Sequence, residues 1–117
     1  MAKLKSEMLV SAALRYAASE FIDCVLIRRG DADAGAIFVH IDALDGRHKL
    51  LARSLDFDGV YSWRTITGGG DGGDGWVDGE SVTARLTREL KMDPDAFVLE
   101  VADRQARNPF ELNSLIT

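Results

Sequence analysis

The sequence predicts an α+β fold: a single domain in which an antiparallel sheet of about five strands carries two helices on one face. Its 117 residues match the commonest size of one domain, and an apolar share of 46% is ordinary for a globular chain. Helical and strand-like patterns follow one another in the order α-β-β-β-β-α-β. We therefore expect one domain over residues 1–117, without internal repeats.

The first half of the chain supplies a helix and two strands. Residues 6–20 carry apolar side chains at helical spacing, and Ser6 is placed to cap the first turn. Residues 22–29 are apolar at both alternating parities, which predicts a central strand covered on parts of both faces. Residues 36–44 share this pattern and form the second strand. The Asp45-Gly46 step after them favours a tight hairpin.

The second half supplies the other elements. Residues 48–54 predict a weaker third strand, and residues 60–66 a fourth with Tyr61 and Trp63 on one face. The Gly- and Asp-rich residues 68–75 predict a flexible loop, since glycine has the largest backbone entropy. Residues 79–92 form the second helix, capped by Asp78, and residues 96–102 alternate as the fifth strand. Residues 104–117 form a C-terminal tail with enough apolar side chains to dock on a surface.

The connections favour a four-stranded antiparallel meander with the fifth strand beside the first, in the order 4-3-2-1-5. A right-handed crossover that lays strand five parallel to strand four is the alternative. In the preferred order, Asp93 and Asp95 lie near Asp31, whereas Asp103 lies at the far end of the sheet.

Charge and cysteine content exclude several classes of function. A formal net charge of −5 argues against a nucleic-acid partner, since proteins that bind phosphate backbones cluster Lys and Arg; a basic patch would have to be local. The single Cys24 lies in an apolar run, which predicts a buried thiol and a reducing, cytoplasmic location. No apolar run approaches the roughly 20 residues that span a bilayer, so we expect no membrane partner.

The densest charge in the chain lies in residues 28–36, between the first two strands. Arg28, Arg29, Asp31 and Asp33 share this turn with two glycines. In a functional interpretation, the two carboxylates hold Mg²⁺ or Ca²⁺, or an arginine clamps an anionic ligand. In a structural interpretation, each carboxylate pairs with an arginine or caps an amide of the turn. The balance of two cations and two anions favours the structural interpretation, in which these side chains satisfy one another.

A second polar cluster lies at the end of the fifth strand, where Asp103 and Arg104 are followed by Arg107. A metal centre that combines Asp103 with the two aspartates of the charged turn requires a strand arrangement different from the preferred one.

Other patterns are interpreted as structural. His40 and His48 lie eight positions apart without a cysteine partner, so we expect satisfied or surface histidines rather than metal ligands. The spacing Gly68-x-Gly70-x-x-Gly73 matches a dinucleotide fingerprint, but the strand before it is too polar. Tyr61 and Trp63 are placed to stack on a ring, yet we expect them in the core or at an interface. No cofactor is expected.

Several stretches together resemble one protein family, the uncharacterised alphaproteobacterial domain of unknown function DUF1491. The likeness runs from Leu4 to about Arg107. It rests on Leu4-Lys5-Ser6-Glu7, Leu14-Arg15, Arg28-Arg29-Gly30-Asp31-Ala32-Asp33-Ala34-Gly35-Ala36-Ile37, Leu44-Asp45-Gly46, Asp93-Pro94-Asp95 and Glu100-Val101-Ala102-Asp103-Arg104. Phe97 stands where a tryptophan is usual, and residues 68–75 replace a loop of different composition. The resemblance implies no activity.

The sequence contains no recognisable catalytic constellation, while its strands and tail offer more apolar surface than two short helices easily cover. We therefore expect a small non-catalytic protein that binds another protein or its own copy, the latter as a homodimer through an edge strand or the tail. The competing hypothesis is a divalent-metal-dependent hydrolase or nuclease that uses Asp31 and Asp33 as ligands.

Overall fold

The computed structural model describes residues 5–55, 57–69 and 73–112, and of Leu55 and Leu112 only the backbone. In chain order the elements are α1 (Ser6–Ser19), β1 (Asp23–Arg28), β2 (Ile37–Asp42), β3 (His48–Leu55), β4 (Tyr61–Thr65), α2 (Gly79–Met92), β5 (Phe97–Ala102) and α3 (Pro109–Leu112). The predicted α+β class and the order of the first seven elements are confirmed. The short α3, in the predicted tail, is an addition. Residues 70–72 of the predicted flexible loop and residues 113–117 of the tail lie outside the described ranges.

The five strands form one open sheet in the order β1-β5-β2-β3-β4. β5 pairs antiparallel with β1 and parallel with β2, and the remaining neighbours are antiparallel. The prediction that β5 lies beside β1 is confirmed. The order 4-3-2-1-5 is wrong, because β5 lies between β1 and β2 rather than outside β1. The alternative is also wrong, since the parallel partner of β5 is β2 and not β4.

The composition of β5 explains its central position. Phe97, Val98 and Leu99 are consecutive and all buried, so this strand is covered on both faces. β1 instead exposes Val25 and Ile27 at the end of the sheet. The prediction of a central first strand is therefore wrong, because apolar residues at both parities occur in β1 and in β5 alike.

The two long helices pack on opposite faces of the sheet. α1 packs Val10 on the face that holds Val39, whereas α2 packs Val82 on the face that holds Phe38 and Leu50. Since neighbouring residues of a strand point to opposite faces, Phe38 and Val39 separate the two helices. The prediction of two helices on one face is wrong. The central strands are apolar on both faces, and each face needs its own cover.

α1 ends in a Schellman motif whose left-handed residue is a phenylalanine. The Ile22 amide donates to the Ala17 carbonyl oxygen at 2.8 Å, and the Phe21 amide donates to the Ala18 carbonyl oxygen at 3.3 Å. Phe21 has a φ of 57° and is 96% exposed. Glycine is the usual residue here, because a Cβ is disfavoured at positive φ. Phe21 thus holds a strained backbone conformation without burying its ring.

We expect Phe21→Gly to stabilise the fold, since glycine removes the strain and the exposed ring contributes no buried surface. The free energy of unfolding, measured by urea denaturation, should rise by about 1 kcal/mol. Ala18→Gly is the matched control on the exposed side of the same helix end, and it should lose up to about 1 kcal/mol. A loss of stability in both variants would contradict the assignment of strain to Phe21.

Candidate functional site

The charged corner, residues 28–36, crosses the start of β5, because β5 lies between the two strands that the corner joins. A Cβ on Gly30 would lie 2.2 Å from the Asp95 carbonyl oxygen, and a Cβ on Gly35 would lie 2.5 Å from the same atom. The Asp31 amide donates to this oxygen at 2.8 Å. The expected proximity of Asp31 and Asp95 is confirmed. Glycine is needed at both positions because the two backbones touch there.

The corner also closes the first turn of α1. The amides of Ser6 and Glu7 donate to the carbonyl oxygens of Asp33 and Ala32, at 3.3 and 2.9 Å. The buried Ser6 hydroxyl donates to the Gly35 carbonyl oxygen at 2.7 Å. The expectation that Ser6 caps the helix is therefore wrong. Backbone carbonyls of the corner take over this task and fix α1 to the sheet.

The two arginines of the corner reach away from it. Arg28 donates from its guanidinium to the carbonyl oxygen of Pro94, in the segment between α2 and β5. Arg29 forms an ion pair with Glu7 in the first turn of α1. Each arginine therefore connects the corner to a different neighbouring segment.

The two aspartates have separate partners as well. A carboxylate oxygen of Asp31 accepts from the Ala34 amide at 3.0 Å, and a carboxylate oxygen of Asp33 lies 3.2 Å from the Lys5 ammonium. Asp31 therefore caps an amide of the turn, which is one of the two structural roles expected for these carboxylates. Neither aspartate pairs with Arg28 or Arg29, so the expectation that the four charged side chains satisfy one another is wrong. Arg28, Arg29 and Asp33 instead connect the corner to the segments around it.

An open cavity of about 290 Å³ lies beside the corner. It is lined by Lys5 and Ser6, by residues 33–37 of the corner and β2, and by Arg53 and Tyr61 of β3 and β4. The guanidinium carbon of Arg53 lies 3.6 Å from the centroid of the Tyr61 ring. Burial lowers the pKa of Arg53, and the Tyr61 hydroxyl acts in the opposite direction. The cavity thus combines two cations, an aromatic ring and the Asp33 carboxylate.

The second polar cluster is centred on Asp103, at the other end of β5. The Arg107 guanidinium donates to both carboxylate oxygens of Asp103, at 2.9 and 3.1 Å, and the Arg107 amide donates to one of them at 2.9 Å. Hydrogen bonds from Arg107 hold the pKa of Asp103 below its usual range, against a smaller opposing effect of burial. Arg104 is exposed beside this pair. As expected, Asp103 lies far from Asp31, since its amide donates to the Asp42 carbonyl oxygen at the end of β2.

A pair of histidines on the α2 side of the sheet was not predicted from the sequence. His40 Nε2 lies 2.9 Å from His48 Nδ1, on neighbouring strands. His40 Nδ1 is 3.9 Å from a Glu100 carboxylate oxygen, and His48 Nε2 is 3.9 Å from an Asp42 carboxylate oxygen. Burial lowers the pKa of His40, and Glu100 partly offsets this effect. The two rings share a hydrogen bond in a row of four titratable groups.

Within residues 5–55, 57–69 and 73–112, no group of three or more His, Cys, Asp or Glu side chains is placed to hold a metal ion. No helix in these ranges has both the length and the apolar character needed to cross a lipid bilayer. Trp63, expected in the core or at an interface, packs on Phe110 of α3 with ring centroids 4.8 Å apart.

The comparisons with known proteins agree with this architecture. The sequence model of the family described as "Protein of unknown function (DUF1491)" matches residues 4–111, and the chain belongs to this family. None of the curated proteins matches the chain.

Solved structures show the same fold. The crystal structure of a DUF1491 family protein from Caulobacter crescentus CB15 has 26% sequence identity and a TM-score of 0.76, covering 92% of this chain and 94% of that one. The NMR structure of a DUF1491 family protein from the same organism has 26% identity and a TM-score of 0.78, covering 93% and 94%. The solution structure of protein Atu0922 from A. tumefaciens has 30% identity and a TM-score of 0.70, covering 86% of each chain.

Sequence reasoning missed Arg53 as a site residue. It lies in β3, whose sequence predicts a weaker strand than its neighbours, and no local motif marks this arginine. Its position in the strand could have identified it. Residues two apart in a strand lie on the same face, and Leu51 belongs to the core beneath α1, so Arg53 lies on the face of β3 that α1 covers.

We expect Gly30→Ala to destabilise the fold by about 3 kcal/mol, because the added methyl group collides with the backbone at the start of β5. Thermal or urea unfolding measures this loss. Gly69→Ala is the control, since a Cβ there meets no atom of the described residues within 4 Å, and the stability of this variant should change by less than about 0.5 kcal/mol. Equal stabilities of the two variants would contradict the close crossing.

We expect Asp103→Asn to lower stability at pH 7 by roughly 1–2 kcal/mol, because the charge-assisted bonds to Arg107 are lost. A carboxyl whose pKa is lowered by folding stabilises the protein above its unfolded pKa, about 3.9, and this contribution is lost as the pH falls through the folded pKa. The difference between parent and variant in urea denaturation should therefore shrink below about pH 4. A difference that stays constant from pH 7 to pH 2 would contradict this role.

Proposed function

We propose that this chain is a non-catalytic module that associates with a second copy of itself through the outer edge of β1. The observation that carries the proposal is the exposure of apolar side chains on an edge strand. Val25 is 51% exposed and Ile27 is 57% exposed. β1 is the end strand of the described sheet, with β5 as its neighbour on one side. The backbone N–H and C=O groups on the outer side of an edge strand can form hydrogen bonds with an added strand.

Phe21 extends this apolar edge toward the start of the strand. It precedes Asp23, the first residue of β1, by two positions, and its ring is almost fully exposed. A bulky, exposed side chain at a strained backbone position supports a role outside the folding of the monomer. We define the β1 edge as Phe21, Val25 and Ile27 together with the backbone of β1.

The charges on β1 favour a second copy as the occupant. Asp23 begins the strand and Arg28 ends it. The irregularity between Leu26 and Arg28 sets both charged residues opposite even-numbered residues of β5, so they lie on one face of the sheet. Antiparallel pairing about a two-fold axis brings the Asp23 end of each copy toward the Arg28 end of the other. Parallel pairing would place like charges together.

The size of the β1 edge supports a weak, reversible dimer. A strand of six residues with one flanking aromatic residue offers less than the roughly 800 Å² per partner of a standard interface. We therefore expect the fraction of dimer to rise with protein concentration in the micromolar range.

The competing hydrolase hypothesis finds less support in the geometry. A metal ion held by Asp31 and Asp33 would have to displace the Ala34 amide from one carboxylate and the Lys5 ammonium from the other. Both carboxylates lie in the corner that fixes α1 to the sheet. The partners of the two aspartates favour a structural role for the corner.

We propose a cytoplasmic location for the module. Burial raises the pKa of the Cys24 thiol to about 11, so the thiolate that reacts with oxidants is scarce at neutral pH. A single cysteine of this kind fits a reducing compartment.

Sedimentation velocity at increasing protein concentrations tests the self-association. We expect the parent to shift from monomer to dimer, and Val25→Lys to remain a monomer, because a lysine on an edge strand blocks strand addition. Met8→Lys is the matched control: Met8 is 54% exposed on α1 and is not part of the β1 edge. It should dimerise like the parent.

Hydrogen exchange gives a second measurement for the same samples. Amides of β1 should exchange more slowly as the parent dimerises, and Val25→Lys should not show this protection. A parent that stays monomeric at all concentrations, or a Val25→Lys protein that dimerises like the parent, would rule out the β1 edge as the interface.

A further inference from the structure

The cavity beside the charged corner holds an unusual cation. Arg53 is half-buried, and its guanidinium carbon lies over the Tyr61 ring, 3.6 Å from the ring centroid. Among the side chains that the structure describes, no carboxylate lies within 4.0 Å of this guanidinium as an ion-pair partner. A guanidinium that is partly withdrawn from water and has no carboxylate partner among the described residues is a ready acceptor for an anion, since the ring compensates its charge only in part.

A second cation, the Lys5 ammonium, lines the same cavity. The Lys5 ammonium pairs with Asp33, and both side chains are well exposed, so this pair is easily rearranged. The Ser6 hydroxyl also lies in the lining, and its donor proton is engaged with the Gly35 carbonyl oxygen. Two cations against one exposed carboxylate leave the cavity with a local positive charge. This local field opposes the overall charge of −5.

The volume of the cavity limits what fits. At about 290 Å³ it lies just below the range for drug-sized ligand sites, roughly 300–1,000 Å³. A phosphate group with a small organic substituent fits this space, whereas a nucleic-acid strand does not. Guanidinium groups bind phosphate through paired hydrogen bonds, and a doubly charged anion gains most from two cations.

We propose that this cavity binds a small phosphate-bearing molecule, with the Arg53 guanidinium and the Lys5 ammonium as its charged donors. Tyr61 positions Arg53 through the stacking contact and shields one side of the guanidinium from water. Asp33 sets the affinity, because the anion competes with it for Lys5. The site lies on the α1 side of β3 and β4 and is separate from the β1 edge at the opposite end of the sheet.

Titration of the full chain with inorganic phosphate, followed in ¹H–¹⁵N NMR spectra, tests the proposal. The amide signals of Ser6, Gly35 and Arg53 should shift together and saturate in the millimolar range. Arg53→Gln should weaken binding by at least about tenfold, because the principal donor is lost. Asp33→Asn should strengthen binding several-fold, since the competing carboxylate is removed.

Arg64→Gln is the matched control, because Arg64 lies on the neighbouring strand and pairs with Ala52 on the other face of the hairpin. It should bind phosphate like the parent. Titration with acetate at the same ionic strength separates phosphate from carboxylate recognition and should give weaker binding. The spectra of each variant without ligand report whether it is folded.

The proposal is overturned if the parent shows no saturable shifts, if Arg53→Gln binds as tightly as the parent, or if acetate binds as well as phosphate. Should Arg53→Gln not fold, the Asp33→Asn and Arg64→Gln comparison decides. Equal affinities of these two variants would also overturn it.

Discussion

The structure depends on the placement of β5 between β1 and β2. Since the connection from β1 to β2 must cross the start of β5, the two backbones come into contact at Gly30 and Gly35. This crossing requires residues without side chains where the Asp95 carbonyl oxygen approaches. It also brings three parts of the chain together: the start of α1, the corner, and the segment that leads into β5. The charged residues of the corner follow from this arrangement, because each of them fastens one of those parts.

Side chains at the corner and side chains around the cavity have different electrostatic situations, although they are neighbours. Arg28, Arg29 and Asp31 have partners in the protein itself. Arg53 has a ring beneath it and, among the described residues, no carboxylate in contact. Charge density alone therefore does not identify a binding site. The more informative quantity is the charge that remains after internal partners have been assigned.

Local patterns in the sequence were sufficient for the first seven elements but not for the short α3. For α2 they were sufficient even for its bounds and its cap, because Asp78 accepts a hydrogen bond from the Ser81 amide as predicted. They were not sufficient for the strand order. β1 and β5 both carry apolar residues at both alternating positions. Which of the two strands is central depends on how the whole sheet packs, and the local pattern does not distinguish them. The prediction that both helices lie on one face was wrong for a related reason, because it did not allow for central strands that are apolar on both faces. The partners of Asp31 and Asp33, and the meeting of His40 with His48, depend on pairing between distant strands, which a local pattern does not encode.

The position of β5 has a consequence for how the chain is made. β1 joins the sheet through β5, yet more than half of the sequence separates the two strands. During synthesis, β1 leaves the ribosome long before its neighbour exists, and a hairpin of β1 with β2 is not part of the final topology. The long-range pairing that completes the sheet also carries a high loop-closure entropy, which slows folding. The nascent chain therefore holds an apolar strand open until β5 has been synthesised, a period in which chaperone binding would protect it.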